Sequence, residues 1–163
     1  MKRLVIIALF SIACFSAGAT QQIHDKVIID GETWELPLSP LQYLQPEMQD
    51  TFNALIGNRN FVSTANYRGY IAYWYVERNR LYLDRVEIPQ MDGTRKTISY
   101  KDLKKVFRKF RRWGKIKAGW INGNLEVGYG LGRRDTSNPH ISTFAKEESW
   151  VLKKGKIIRT SAK

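Results

Sequence analysis

The chain has 163 residues, a length that suits one domain, and its 27 Lys and Arg against 15 Asp and Glu give a formal charge of +12 at pH 7. That balance points towards anionic partners and says nothing about the fold. A single cysteine, Cys14, excludes a framework of disulfides.

The first nineteen residues read as a secretory signal peptide. Lys2 and Arg3 form a short positive region, residues 4–14 are apolar, and Ala17 and Ala19 are the small residues that a signal peptidase reads. The apolar run is too short to span a bilayer comfortably, so the mature chain, residues 20–163, is expected to be a single exported domain without a transmembrane segment. Lipidation at Cys14 is the lesser alternative, because Ser11 stands where a lipobox prefers Leu. Cleavage after Ala19 leaves a charge of +10 and no thiol nucleophile. Such a domain is held by its core alone.

Residues 26–36, "KVIIDGETWEL", predict a β-hairpin turning at Asp30–Gly31, since Asp-Gly tolerates the positive φ of a two-residue turn. Ser39 before Pro40, and then Pro46, predict one or two short helical pieces across 40–56. In the second piece Met48, Phe52, Leu55 and Ile56 share a face. Residues 70–76 are aromatic and β-branched, and predict a strand. "ERNR" then reads as a four-residue connection to a returning strand, "LYLDRVEI". "PQMDGTRK" is a polar turn about Asp92–Gly93.

"YKDLKKVFRKFRRW", residues 100–113, predicts the clearest helix. Ser99 and Asp102 approximate a capping box. At 100° per residue Tyr100, Leu103, Val106, Phe107, Phe110 and Trp113 fall on one arc. Lys101, Lys104, Lys105, Arg108, Lys109, Arg111 and Arg112 fall on the other, with Gly114 as the stop. Residues 100–117 hold nine basic residues and one acid, so most of the charge of the mature chain lies here. A helix that only faces water mixes its charges, because like charges four apart oppose it. The pattern leaves two readings: a solvated face, or a surface that meets an anionic partner.

Beyond the helix, Asn122–Gly123 predicts a hairpin between 116–121 and 125–129. Residues 130–140 read as a loop, and Lys154–Gly155 as the turn of a last hairpin. Runs of hairpins with few helices argue for an α+β fold: an antiparallel, hairpin-rich sheet packed by one basic amphipathic helix and one or two short ones.

Sites for chemistry are sparse. His24 and His140 have no neighbour at metal-ligand spacing, and no cofactor motif is present. Glu32, Glu35, Asp84, Glu87 and Glu126 lie on predicted strands, where a facing pair would suit glycoside hydrolysis. Tyr67, Tyr70, Tyr73, Trp74, Tyr75 and Tyr82 offer either a core or a platform for sugar rings or a protein partner.

Two stretches carry a resemblance. Residues 67–88, "YRGYIAYWYVERNRLYLDRVEI", resemble the "RGYIATWEI…LYLVDI" pattern of a group of uncharacterised bacterial proteins. "IKAGWINGNLEVGYG" resembles that group's "FADWFSGELRIPQG", with Ala118, Trp120, Gly123 and Leu125 in matching places. Gly119 departs from the acidic residue of the group, and Gly128, Tyr129 and Gly130 from its Pro-Gln-Gly. The resemblance implies one compact domain with a hairpin-rich sheet, and it carries over no functional residue.

The function expected from these features is an exported, non-enzymatic binding protein, of inhibitor or immunity type in one version, whose basic helix face docks an anionic partner. Acidic protein, lipopolysaccharide, anionic lipid surface and acidic glycan all qualify. Export and the burial expected for the aromatic arc disfavour nucleic acid and deep membrane insertion. The alternative is a small envelope hydrolase or glycan-binding domain with carboxylates in an aromatic-lined cleft.

Overall fold

The structure, a computed structural model, describes residues 22–57, 63, 65–134 and 142–162. The expected signal peptide, Cys14 and His140 lie outside these residues. The fold is α+β, mainly sheet with two helices.

The first hairpin forms as its turn residues dictate. β1 (Asp25–Ile29) and β2 (Glu32–Leu36) pair antiparallel about Asp30 and Gly31, both at positive φ. Ser39 caps a 3-10 turn, Pro40–Tyr43, by accepting from the Leu41 amide. α1 (Pro46–Ile56) follows with Pro at its first position, and buries Phe52 and Ile56. β3 (Ile71–Glu77) and β4 (Arg80–Pro89) form the second hairpin. Its turn is only Arg78–Asn79, both at positive φ, so the expected four-residue connection is too long and Arg80 belongs to a strand. A short strand β5 (Arg95–Thr97) folds back on β4 about Asp92–Gly93, where the Asp92 carboxylate accepts from the Thr94 amide.

α2 (Tyr100–Val106) starts at Ser99, whose hydroxyl accepts from the Asp102 amide. It ends seven residues short of the expected helix. Phe107 leaves helical geometry, a 3-10 turn covers Arg108–Phe110, and the chain becomes extended. β6 (Arg111–Arg112) and β7 (Lys115–Lys117) then make a small hairpin about Trp113–Gly114. Gly114 is thus the second residue of a β-turn rather than a helix stop.

The hairpin expected about Asn122–Gly123 does not form. β7 pairs with β4 and β6, whereas β8 (Gly123–Arg134) pairs with β2 and β9 (Ser142–Lys153). Asn122 serves the neighbouring turn instead, accepting from the Lys154 amide at 2.9 Å. Part of the expected loop, 130–134, is strand, and the rest lies outside the described residues. β10 (Lys156–Ala162) returns from β9 through Lys154–Gly155 as predicted, with a bulge between Ile157 and Arg159.

The strands run in the order β10-β9-β8-β2-β1-β3-β4-β7-β6, with β5 beside β4. Only β1 and β3 are parallel among the described pairs. The sheet turns back on itself where Lys156 of β10 pairs with Arg80 of β4. Leu81 donates to the Gly155 carbonyl and Gly155 to that of Ile121, which seals this seam. Alternate residues of the strands point into one core, including Val27, Leu36, Trp74, Leu81, Leu83, Leu125 and Leu152. Aromatic rings from the helical segments fill the centre. Phe107 stacks on Trp120 at 5.0 Å, and Phe52 meets Tyr70 edge-on at 5.4 Å.

Candidate functional site: a basic sheet face and its aromatic neighbours

Of the cations predicted on one helix face, only Lys101, Lys104 and Lys105 lie on α2. Arg108 and Lys109 sit in the 3-10 turn, and Arg111 and Arg112 on β6. All seven are exposed except Lys104, which is half-buried. Of the like-charge pairs expected four apart, Lys101 with Lys105 alone lies within the helix. Lys105 also bonds the Asp102 carboxylate at 2.9 Å, so little repulsion is stored in the helix itself.

The expected apolar arc breaks at its last member. Leu103 and Phe107 are buried, but Trp113 is 88% exposed. It occupies the first position of the β6–β7 turn at φ 55°. The Arg112 guanidinium lies 5.7 Å from the centre of its ring. An exposed indole therefore stands among the cations, where a helix would have buried it.

The fold adds cations that are far apart in sequence. Residues paired across strands point to the same side of a sheet. Lys153 of β9 pairs with Lys156 of β10, and Lys156 with Arg80 of β4, so three cations lie in a row across the seam. They face outwards, because Leu152 and Leu81 beside them face the core. Tyr82 and Lys117 continue this outer face onto β7. Partial burial, and then the charges of Arg80, Arg112 and Lys154, hold the Lys117 ammonium below its usual pKa. Arg80, Lys153, Lys154 and Lys156 escape a sequence scan because none belongs to the basic run. The pairing of β10 with β4 and β9, and the turn at Lys154, bring them together.

The aromatic strand divides between two faces. Tyr70 and Trp74 are buried in the core and take no part in a platform. Tyr73, Tyr75 and Tyr82 lie on the outer face, partly exposed, while Tyr67 is exposed outside the strand. Tyr75 and Tyr82 stack at 5.2 Å, and the Lys115 ammonium lies 5.8 and 5.7 Å from their ring centres. Burial, followed by the Glu77 charge, pushes the Tyr75 hydroxyl up to about 12. The Arg85 guanidinium covers Tyr73 at 3.7 Å, and Arg95 donates to its hydroxyl at 2.9 Å.

Several strand carboxylates are neutralised by cations. Lys115 bonds Glu77, Arg85 bonds Asp84 at 2.7 Å and Glu87 at 2.9 Å, and Arg95 reaches Glu87 at 3.2 Å. Burial alone would raise Glu87, but bonds from Arg85, Tyr73 and Arg95 hold it below its ordinary range. His24, isolated in sequence, meets Glu35 at 2.9 Å, and Lys26 bonds the same carboxylate. Hydrogen bonding by His24 chiefly lowers Glu35 to about 2. Glu32 is exposed on β2, and Glu126 half-buried on β8. A cleft of about 400 Å³ between α1 and the β4–β5 turn is lined by Ile56, Ile88, Pro89, Met91, Asp92 and Lys96. Among the described residues that line it there is one carboxylate and no aromatic ring.

One polar cluster is interior. The Asp25 carboxylate, fully buried, accepts from Ser39 at 2.5 Å, the Ala72 amide at 3.1 Å and the Trp74 indole at 3.3 Å. The Arg68 guanidinium lies 3.4 Å away. Burial pushes the carboxyl up, and Arg68 and these donors draw it back. With every member enclosed, the cluster ties β1 to β3 and to the turn before α1. Among the described residues, no group of three His, Cys, Asp or Glu side chains is placed to hold a metal ion. No helix among them is long and apolar enough to cross a membrane.

Comparison of the chain with protein-family models, curated proteins and solved structures gave no match.

Proposed function

We propose that this is an exported binding protein that docks an anionic partner through the basic surface of residues 100–117. The observation that carries the reading is the nine-to-one excess of cations over acids in this segment, with six of the seven cations up to Arg112 exposed to solvent. Lys117 and Arg112 are joined in space by Arg80 of β4 and Lys154 of the β9–β10 turn. Such a face concentrates positive potential and draws anionic partners from a distance. Salt elution from immobilised heparin tests it. The triple variant Lys105→Glu, Arg108→Glu, Arg112→Glu is expected to elute at clearly lower salt than the wild type. Equal elution of two folded proteins refutes the reading.

The competing hydrolase reading is the weaker one. A general acid needs a carboxyl held above its ordinary range. Glu35, Glu77 and Glu87 are held below it by their hydrogen-bonding neighbours, His24, Lys115 and Arg85 among them, and Asp25, which burial raises, is fully enclosed and out of reach of a substrate.

A further inference from the structure

Trp113 has no role in the core. A large aromatic normally contributes by burying its area, and this one is 88% exposed. Its backbone sits at φ 55°, in the region that Asn, Asp and Gly enter readily and a bulky residue rarely does. Asn would suit both the turn and the solvent better. The fold therefore carries an indole at a position where folding alone disfavours it.

Its surroundings say what would favour it. Arg111 and Arg112 precede it on β6, Lys115 and Lys117 follow it on β7, and Arg108 and Lys109 lie in the turn before. Indole is the side chain most at home in the headgroup layer of a bilayer, with its ring in the apolar boundary and its N–H among polar groups. Lys and Arg close to such a surface are drawn to anionic lipid. A polyanion in solution needs the cations and has no use for a lone ring at the tip of a turn. A single strand of nucleic acid stacks its bases on several exposed rings in series; the partly exposed Tyr75 and Tyr82 are already stacked on each other, which leaves Trp113 as a single open step.

We propose that the β6–β7 turn is a membrane-docking element, in which Trp113 enters the headgroup layer of an anionic lipid surface while the flanking cations engage lipid phosphates. The apolar arc of α2 is committed to the core through Leu103 and Phe107, so insertion is limited to the turn and docking is reversible. Charge brings the surface close, and the indole distinguishes a bilayer from other polyanions. This names the partner within the function proposed above and rests on it.

The test uses the protein as the producing cell releases it, with phosphatidylcholine vesicles containing or lacking phosphatidylglycerol, and heparin as a polyanion without a bilayer. Binding is expected only to vesicles with phosphatidylglycerol, with quenching of tryptophan fluorescence when the lipid chains are brominated. Trp113→Asn is expected to stay folded, to lose that quenching, to bind anionic vesicles about tenfold or more weakly, and to bind heparin as before. If Trp113→Asn binds anionic vesicles as the wild type does, the membrane role of the indole is overturned and the basic-surface reading stands. If the wild type binds heparin and no vesicle, the partner is a soluble polyanion and the inference is overturned. If it binds neither, the function proposed above falls as well.

Discussion

Gly155 lies so close to the backbone of Ala118 that a methyl group on it would stand 2.4 Å from the Ala118 carbonyl oxygen. The glycine is also at φ 69° and bonds Ile121 and Leu81 at the seam between β10 and β4. Gly155→Ala therefore strains the turn and pushes backbone against backbone. A loss of about 2–4 kcal/mol is expected in urea titration. Gly31→Ala is the control: it shares the positive φ but has open space around it, so its cost is expected to be nearer 1 kcal/mol. Equal losses would mean that the seam does not hold the fold together.

The Asp25 cluster predicts an asymmetry between single and double changes. Removing Arg68 alone, as Arg68→Met, leaves a buried carboxylate short of its cation and is expected to cost about 3–5 kcal/mol. Arg68→Met with Asp25→Asn removes both charges and is expected to recover a large part of the loss. Chemical denaturation of the wild type, Arg68→Met, Asp25→Asn and the double variant gives the coupling directly.

Acid is expected to destabilise the protein partly through Glu35. Its carboxyl is lowered from 4.5 to about 2 in the folded state, chiefly by the bond with His24. A lowered carboxyl contributes stability that is complete above the unfolded value and is lost as pH falls through the folded one. The loss attributable to Glu35 thus falls between about 4.5 and about 2. Thermal melts across that interval should show a shallower decline for Glu35→Gln than for the wild type. Glu87, lowered by Arg85, Tyr73 and Arg95, supplies part of the decline that remains.

The row formed by Lys153, Lys156 and Arg80 predicts the effect of salt. Like charges directly opposite on neighbouring strands repel. Added sodium chloride screens them and is expected to raise Tm, the reverse of its effect on a fold held by surface ion pairs. Lys156→Glu places an acid between two cations and should stabilise by about 0.5 kcal/mol. It should also flatten the dependence of Tm on salt, which calorimetry at two ionic strengths would measure.

What could be read from sequence divides along the range of the forces involved. The turns at Asp30–Gly31 and Lys154–Gly155, the caps at Ser39 and Ser99, and α1 behind Pro46 are set by neighbours in the chain, and all are present. The end of α2 was not legible. Apolar residues continue at helical spacing through Phe110 and Trp113, and Phe110 reaches Trp120 from a 3-10 turn as well as it would from a helix. Asn122–Gly123 has the composition of a hairpin turn, but β8 finds its partner in β9 and β7 finds its partner in β4. The basic surface is half visible: the run at 101–112 is local, whereas Arg80 and Lys156 are brought together by pairing between distant strands and Lys154 comes from the turn beside them. Tyr70 and Trp74 differ from Tyr73 and Tyr75 only in which way the strand faces, which the aromatic run itself does not reveal.

The way the sheet ends also bears on how copies of this protein behave towards one another. A free strand edge invites another chain to add to it, and aggregation begins there. Here the outermost strands are β5, three residues with Arg95 and Lys96, and β6, two residues that are both arginine. β10 is paired to β4 at Lys156, and beyond that point a bulge disturbs the regular spacing that an incoming strand would have to match. Among the described strands, short length, charge and a bulge thus oppose the addition of an incoming strand at these three edges, each by a different means.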